Sequence, residues 1–70
     1  MRLTNTVRDH RLLARMTQQG LADAVGVSRQ TIIAMETGTY TPSALLALRL
    51  ARTFGVAFED LFGTDEEGDS

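Results

Sequence analysis

Apolar positions recur with helical spacing along most of the 70-residue chain, and the recurrence is clearest in its middle. Leu21, Ala22 and Val25 share one face of a predicted helix, and Ile32 and Met35 share one face of the next. The pattern therefore predicts two short amphipathic helices in succession, each with one side in a core.

Boundary signals frame these two helices. Thr17 and Ser28 place hydroxyl groups at the predicted N-caps, where they accept hydrogen bonds from free backbone N–H groups. Gly26 and Gly38 end the helices, because glycine adopts the left-handed conformation of a helix C-terminus without strain. Two short helices joined by a tight turn are typical of the helix-turn-helix, whose second helix enters the DNA major groove.

A first helix is predicted before this pair, capped by Thr4 or Asn5 and running to about Ala14. Leu12 and Leu13 fall outside its inward stripe, which indicates either a broader buried surface or contact with another chain. The inward positions of this helix are Leu3, Val7, His10, Arg11 and Ala14.

Two helices are predicted after the pair. The fourth begins at Ser43, directly after Pro42, and ends at Gly55, and the fifth covers 58–62 and buries its two phenylalanines. The inward stripe of the fourth helix is predicted as Ala44, Ala47, Leu48, Ala51 and Phe54, widened by Leu46 and Leu50. One domain is thus expected over residues 1–63, followed by a disordered acidic tail over 64–70, which has no apolar residue.

Composition argues against several classes of protein. The chain has no cysteine, which removes disulfides, thiolate metal ligands and cysteine nucleophiles. No apolar run approaches the roughly 20 residues of a membrane span, and the N-terminus lacks the apolar core of a signal peptide, so we expect a cytoplasmic protein. His10 is the only histidine and has no cysteine or paired carboxylate nearby. We therefore predict no metal site, no cofactor and no enzymatic activity.

The net charge of −2 hides an uneven distribution. Residues 1–35 contain five arginines and two aspartates, whereas residues 36–70 contain two arginines and seven acidic residues, four of them in the last seven positions. The predicted helix-turn-helix lies mainly in the basic half. This distribution permits DNA binding with a modest, salt-sensitive affinity.

The motifs in order resemble the Cro and phage-repressor-type helix-turn-helix family, often called the XRE family. The residues that carry the resemblance are Val7-x-x-His10-Arg11, Thr17-Gln18-x-x-Leu21-Ala22, Val25-Gly26-Val27-Ser28-x-x-Thr31-Ile32, Met35-Glu36-x-Gly38, Tyr40-x-Pro42-Ser43, Leu50-Ala51-x-x-Phe54-Gly55-Val56 and Glu59-Asp60-Leu61-Phe62. The resemblance implies an all-α fold: a compact five-helix, phage-repressor-like DNA-binding domain with its helix-turn-helix at helices 2 and 3. The short chain resembles the small stand-alone regulators of this family.

The resemblance also implies roles for individual residues in DNA binding. Gln18 matches a position that contacts the DNA backbone, and Ser28, Arg29, Gln30 and Thr31 match the first turn of the recognition helix, which covers about 28–37. Arg29 suits the two acceptors of guanine, and Gln30 suits the acceptor and donor of adenine.

Five further positions complete the set. Ala34 matches a groove-facing position where its methyl group could contact a thymine methyl, and Thr39 and Tyr40 match a loop that meets phosphates. Arg11 and Glu36 match a structural ion pair that joins helices 1 and 3.

The chain departs from the family pattern at two helix N-termini. Gly20 replaces a glutamate that completes a reciprocal cap, and Ala57 replaces a serine or threonine cap. These departures favour a domain of low intrinsic stability that dimerises.

The sequence therefore predicts a sequence-specific DNA-binding transcriptional regulator, a repressor, that binds a palindromic double-stranded operator as a homodimer. The alternative is an antitoxin or another protein-binding regulatory module that acts with a partner protein. The net negative charge, the small number of predicted phosphate contacts and the leucines outside the core stripes favour this alternative.

Overall fold

The structure, a computed structural model, describes residues 3–64 of the chain. Within this range no helix is long and apolar enough to cross a membrane. The elements in order are β1 (Leu3–Asn5), α1 (Val7–Leu13), α2 (Gln18–Val25), α3 (Arg29–Glu36), α4 (Ala44–Phe54), α5 (Phe58–Leu61) and β2 (Phe62–Thr64). The five predicted helices are confirmed, although the fifth ends at Leu61, and Phe62, which was predicted to belong to it, begins β2.

A short antiparallel ribbon joins the two ends of the described chain. β1 pairs with β2, with Leu3 opposite Thr64 and Asn5 opposite Phe62. This ribbon was not predicted from the sequence, because strands of three residues are too short to show an alternating pattern. Thr64, which was predicted to begin the tail, therefore lies in a strand, and the rest of the predicted tail, 65–70, lies outside the described residues.

The start of α1 differs from the prediction. Its N-cap is Thr6 rather than Thr4 or Asn5. Asn5 instead connects the strand to two helices, because its Oδ1 accepts a hydrogen bond from the Val7 backbone N–H at 3.1 Å and its Nδ2 donates to the Met35 carbonyl at 3.0 Å. The side chain thus fixes the strand against the end of α3.

The buried core is built mainly from α2, α3 and α4. Every apolar residue predicted to face inward from α2 and α3 is buried. A single-sided apolar stripe on a two-turn helix leaves only one face that can enter a core, and this explains the agreement. The buried apolar residues are Val7, Leu21, Ala22, Val25, Ile32, Met35, Leu46, Ala47, Leu50, Ala51, Leu61 and Phe62.

The buried faces of α4 and α5 differ from the prediction. On α4 the buried face includes Leu46 and Leu50, so Leu48, which was predicted to face inward, is 47% exposed. Phe58 of α5 is 49% exposed, and only Phe62 enters the core. α4 carries apolar residues around most of its circumference, so spacing alone does not decide which of them face the other helices.

The leucines at the end of α1 also lie outside the core. Leu12 is 51% exposed and Leu13 is 81% exposed, so the broader buried surface suggested for them is wrong. Leu3 and Ala14, which were assigned to the inward stripe, are exposed as well. α1 has only seven residues, about two turns, and only the narrow stripe that contacts neighbouring helices is buried.

Hydroxyl caps begin three of the helices, as predicted. Thr17, Ser28 and Ser43 each accept a hydrogen bond from the backbone N–H three residues further on, at 2.9, 3.2 and 3.2 Å. Ala57, at the same position of α5, offers no side-chain acceptor. Only the reverse bond is present there, from the Ala57 backbone N–H to Oδ2 of Asp60 at 3.0 Å.

A buried ion pair joins α1 to α3. Arg11 donates from Nε to Glu36 Oε2 at 2.7 Å and from Nη2 to Oε1 at 3.2 Å, and the two side chains are only 10% and 4% exposed. The Arg11 Nη1 donates to the Met16 carbonyl at 3.0 Å, and the Gln18 Nε2 donates to Glu36 Oε1 at 3.2 Å. The carboxylate therefore binds side chains from both α1 and α2.

The ion pair yields a prediction about stability. Glu36→Ala leaves the buried Arg11 charge without its partner, and we expect the free energy of unfolding to fall by about 3 kcal/mol. The double variant Arg11→Met/Glu36→Leu removes both charges and should recover most of that loss. Urea denaturation measures each value. Asp23→Ala, at an exposed acid, is the control and should change stability by less than about 0.5 kcal/mol. A double variant as unstable as the single one would contradict this account.

The missing cap of α5 yields a second prediction. The backbone of Ala57 (φ −77°, ψ 156°) matches that of the capping residue Ser28 (φ −79°, ψ 158°). Ala57→Ser should therefore raise the free energy of unfolding by about 1 kcal/mol, measured by urea denaturation. Ser43→Ala removes an existing cap and should lower it by a similar amount. Equal stability of Ala57→Ser and the wild type would show that α5 gains nothing from a cap.

Candidate nucleic-acid interface

A tight turn fixes α3 against α2. α2 ends at Gly26, whose φ of 78° and ψ of 35° lie in the left-handed region. The backbone N–H groups of Gly26 and Val27 both donate to the Ala22 carbonyl, at 2.9 and 3.0 Å. Val27 packs against the core, and α3 begins two residues later. The turn leaves the chain few alternative paths between the two helices.

The two sides of α3 differ sharply in environment. Ile32 and Met35 are fully buried, and Glu36 is held by the ion pair. Gln30 is exposed and Ala34 is half-buried one turn further along the opposite side. One side of the helix is therefore fixed by the core, and the other can meet a ligand.

The first turn of α3 contains the other residues predicted to contact DNA. Ser28 Oγ accepts the Thr31 backbone N–H at 3.2 Å and lies 3.1 Å from Thr31 Oγ1, so both hydroxyl groups already have protein partners. The side chains of Arg29 and Gln30 are exposed and make no hydrogen bond to another residue of the described chain. Their side chains are therefore the available polar groups of this turn.

Thr39 and Tyr40, which were predicted to contact phosphates, lie shortly after the end of α3. The Thr39 hydroxyl donates to the Ala34 carbonyl at 3.1 Å, and the Thr37 hydroxyl lies 3.0 Å from the Ile33 carbonyl and 3.1 Å from the Ala34 carbonyl. Gly38 has a φ of 84°. The Thr39 hydroxyl proton is thus used to cap α3, although this residue was predicted to contact a phosphate. Tyr40 is 40% exposed directly after this cap.

An open cleft of about 670 Å³ lies beside α3 and contains three arginines. Gln18, the first residue of α2, lines it, although one of its amide N–H groups is bound to Glu36. Among residues 3–64, no group of three or more His, Asp or Glu side chains could hold a metal ion. The residues that line the cleft are Arg8, Arg11, Thr17, Gln18, Gln19 and Arg29.

Arg8 of this cleft is not among the site residues predicted from the sequence. The signal was present, because Arg8 and Arg11 are three residues apart on α1 and therefore lie on neighbouring positions of its surface. Arg29 reaches the same cleft from α3. Only the packing of α1 beside α3 brings these distant parts of the chain together.

The sequence of the chain is similar to the sequences of known proteins. The helix-turn-helix family profile HTH_3 matches residues 7–61. An uncharacterized HTH-type transcriptional regulator of Methanothermobacter thermautotrophicus is 52% identical over 63 residues, which cover 89% of this chain and 91% of that protein. The cryptic phage CTXphi transcriptional repressor RstR of Vibrio cholerae is 30% identical over 63 residues, which cover 90% of this chain and 57% of the repressor.

A solved structure shows the same fold. The restriction-modification controller protein C.AhdI of Aeromonas hydrophila is similar with a TM-score of 0.72 and 24% identity, over 77% of this chain and 82% of that one. The family match begins at the first residue of α1 and ends at the last residue of α5, so it includes the whole α2–turn–α3 unit. The chain belongs to the Cro/C1-type helix-turn-helix family, whose members are DNA-binding transcriptional regulators and not enzymes.

Proposed function

We propose that the chain is a sequence-specific repressor that places α3 in the DNA major groove and acts as a homodimer. The observation that carries this proposal is the outer side of α3, where Gln30 and Ala34 lie one turn apart, opposite the buried Ile32 and Met35. Because the core and the ion pair hold the other side of α3, the backbone that carries these outer residues is positioned before DNA arrives. A preorganised backbone loses less conformational entropy on binding.

The side chains of α3 fit base edges. The Gln30 amide offers the donor and acceptor that adenine requires, and the Arg29 guanidinium can donate two hydrogen bonds to guanine. The methyl group of Ala34 can contact a thymine methyl. Ser28 and Thr31 flank these residues and hold the first turn through their hydroxyl groups.

Three residues beside this face are the proposed phosphate contacts. Tyr40 offers an exposed hydroxyl donor, and Gln18 has a second amide N–H beyond the one bound to Glu36. Thr39 must first release the Ala34 carbonyl before its hydroxyl can donate to a phosphate. We therefore expect Thr39 to contribute least of the three.

A homodimer follows from the small size of one recognition helix. α3 has eight residues, and two copies on half-sites about 34 Å apart would double the base contacts on a palindromic operator. α5 and its surroundings are the proposed dimer surface, because Phe58, Leu45 and Leu48 are each about half exposed there and on α4. Apolar side chains of this size favour contact with another chain.

Repression is the proposed outcome of binding. The Vibrio cholerae relative is named a transcriptional repressor, and this chain matches it over 63 residues. A dimer bound across a promoter can exclude other proteins from the same DNA without any enzymatic activity.

A partner-dependent regulator, such as an antitoxin, is the second candidate. It is favoured by Leu12 and Leu13, which are 51% and 81% exposed at the end of α1. A toxin encoded beside this chain and co-purifying with it would support this candidate. The two functions are compatible, since a partner at the end of α1 leaves α3 open.

The proposed base contacts give a direct test. Operators selected from random duplex DNA with the wild-type protein should be palindromic, and Gln30→Ala should weaken binding to them by about 1 to 3 kcal/mol while relaxing the preference at one base pair of each half-site. Fluorescence anisotropy measures the affinity. Thr53→Ala, on the exposed side of α4, is the control and should bind as the wild type does. Unchanged affinity and preference of Gln30→Ala would contradict recognition by α3.

The proposed dimer surface gives a separate test. Phe58→Ser should shift the protein from a dimer toward the 7.7 kDa monomer in sedimentation equilibrium, because it removes apolar area from the contact. Leu13→Ser removes an exposed leucine at the end of α1 and should leave the dimer intact. Circular dichroism verifies that both variants are folded. Dissociation caused by Leu13→Ser but not by Phe58→Ser would move the dimer surface to α1.

A further inference from the structure

Arg8 is the one arginine of the cleft to which neither the ion pair nor the proposed base contacts assign a role. We infer that Arg8 binds a phosphate of the DNA backbone in the cleft beside α3. The inference rests on the proposed function, because it requires α3 to lie in the major groove next to that backbone. It extends the DNA interface from the helix-turn-helix to α1.

The charges of the cleft support an anionic ligand. None of the six lining residues is acidic. Arg11 is neutralised by Glu36, which contacts it at 2.7 Å and is almost fully buried. The positive charge that the cleft presents to solvent therefore comes mainly from Arg8 on the α1 side and Arg29 on the α3 side.

The hydrogen-bond donors of the cleft also favour Arg8 as the residue that binds the anion. One amide N–H of Gln18 is bound to Glu36, and one of Gln19 is bound to Asp23 at 2.8 Å. The Arg11 guanidinium already makes three hydrogen bonds inside the protein. The Arg8 side chain is exposed and makes no hydrogen bond within the described chain. Its planar set of N–H donors is therefore available for a bidentate contact with phosphate oxygens.

The position of α1 favours the backbone over the bases. The recognition helix occupies the groove, and helices packed behind it reach the DNA at its sugar–phosphate edge. Arg8 lies on such a helix and shares one cleft with Arg29, the first residue of α3. A phosphate contact positions the protein and carries no sequence information, which separates the expected behaviour of Arg8 from that of Gln30.

The test compares affinity, salt dependence and sequence preference in the full-length chain. Wild type, Arg8→Ala and Arg52→Ala are titrated against a selected operator and an unrelated duplex between 50 and about 300 mM salt. Arg8→Ala should weaken binding to both duplexes about five- to tenfold at 0.1 M salt and reduce the slope of log K against log salt by about one per protomer. Arg52→Ala removes an equal charge from the exposed side of α4 and should change neither quantity. Because Arg52 lies four residues after Leu48, on the side of α4 proposed for the dimer, sedimentation equilibrium first verifies that this variant remains a dimer. Arg8→Lys keeps the charge and should restore most of the slope.

Each outcome separates this inference from the proposed function. A wild-type protein that binds no duplex would contradict both. Wild-type binding with an Arg8→Ala variant that matches Arg52→Ala in affinity and slope would contradict the inference alone. A changed base preference in Arg8→Ala would also contradict it, since a backbone contact cannot alter preference directly.

Competition by inorganic phosphate tests whether the cleft binds the DNA backbone or a small phosphate compound. At constant ionic strength, inorganic phosphate should compete with the duplex no better than sulfate does, because the open cleft surrounds a free anion poorly. Saturable competition by phosphate alone, lost in Arg8→Ala, would indicate a site for a small phosphate compound and contradict a backbone contact.

Discussion

The position of α3 depends on the ion pair between Arg11 and Glu36. Glu36 is the last residue of α3, where a negative charge opposes the helix dipole and is therefore unfavourable by itself. Two hydrogen bonds from Arg11 and one from Gln18 compensate for this, and together they connect the end of α3 to α1 and to the start of α2. The buried Ile32 and Met35 determine which side of α3 faces the core, and the ion pair adds hydrogen bonds of defined geometry at the end of the helix.

The same network lies beneath the basic cleft, so stability and binding overlap there. Arg11 lines the cleft and also holds Glu36, and Gln18 does both through a single amide. Substituting either residue would change the position of α3 and the cleft at once. Arg8 and Gln30 have no such structural role within the described chain, so substitutions there test the proposed DNA contacts without removing a contact of the fold.

The helices could be predicted from the sequence where local signals were complete. α2 and α3 each have a hydroxyl cap, a one-sided apolar stripe and a glycine close to the C-terminus, and their buried faces agree with the prediction. The buried face of α4 could not be predicted because leucines and alanines lie on most sides of this helix. Leu48, which was predicted to face inward, is exposed. The β ribbon depends on pairing between residues about 60 positions apart, as for Leu3 and Thr64, and no local pattern contains that information.

The candidate site, like the fold, could be predicted from the sequence only in part. The sequence shows a basic half, but it cannot show that Arg8 and Arg29, which are 21 positions apart, line one surface. No acidic residue lines the cleft, and Glu59 and Asp60 lie on α5, so the cleft is more basic than the net charge of −2 indicates. Because Arg29 is proposed to contact a base, Arg8 is the one arginine of the cleft left for a phosphate, and a single such contact is few for one protomer. A second protomer would double both the phosphate and the base contacts, so the sparse charge of the cleft is itself an argument for binding as a dimer.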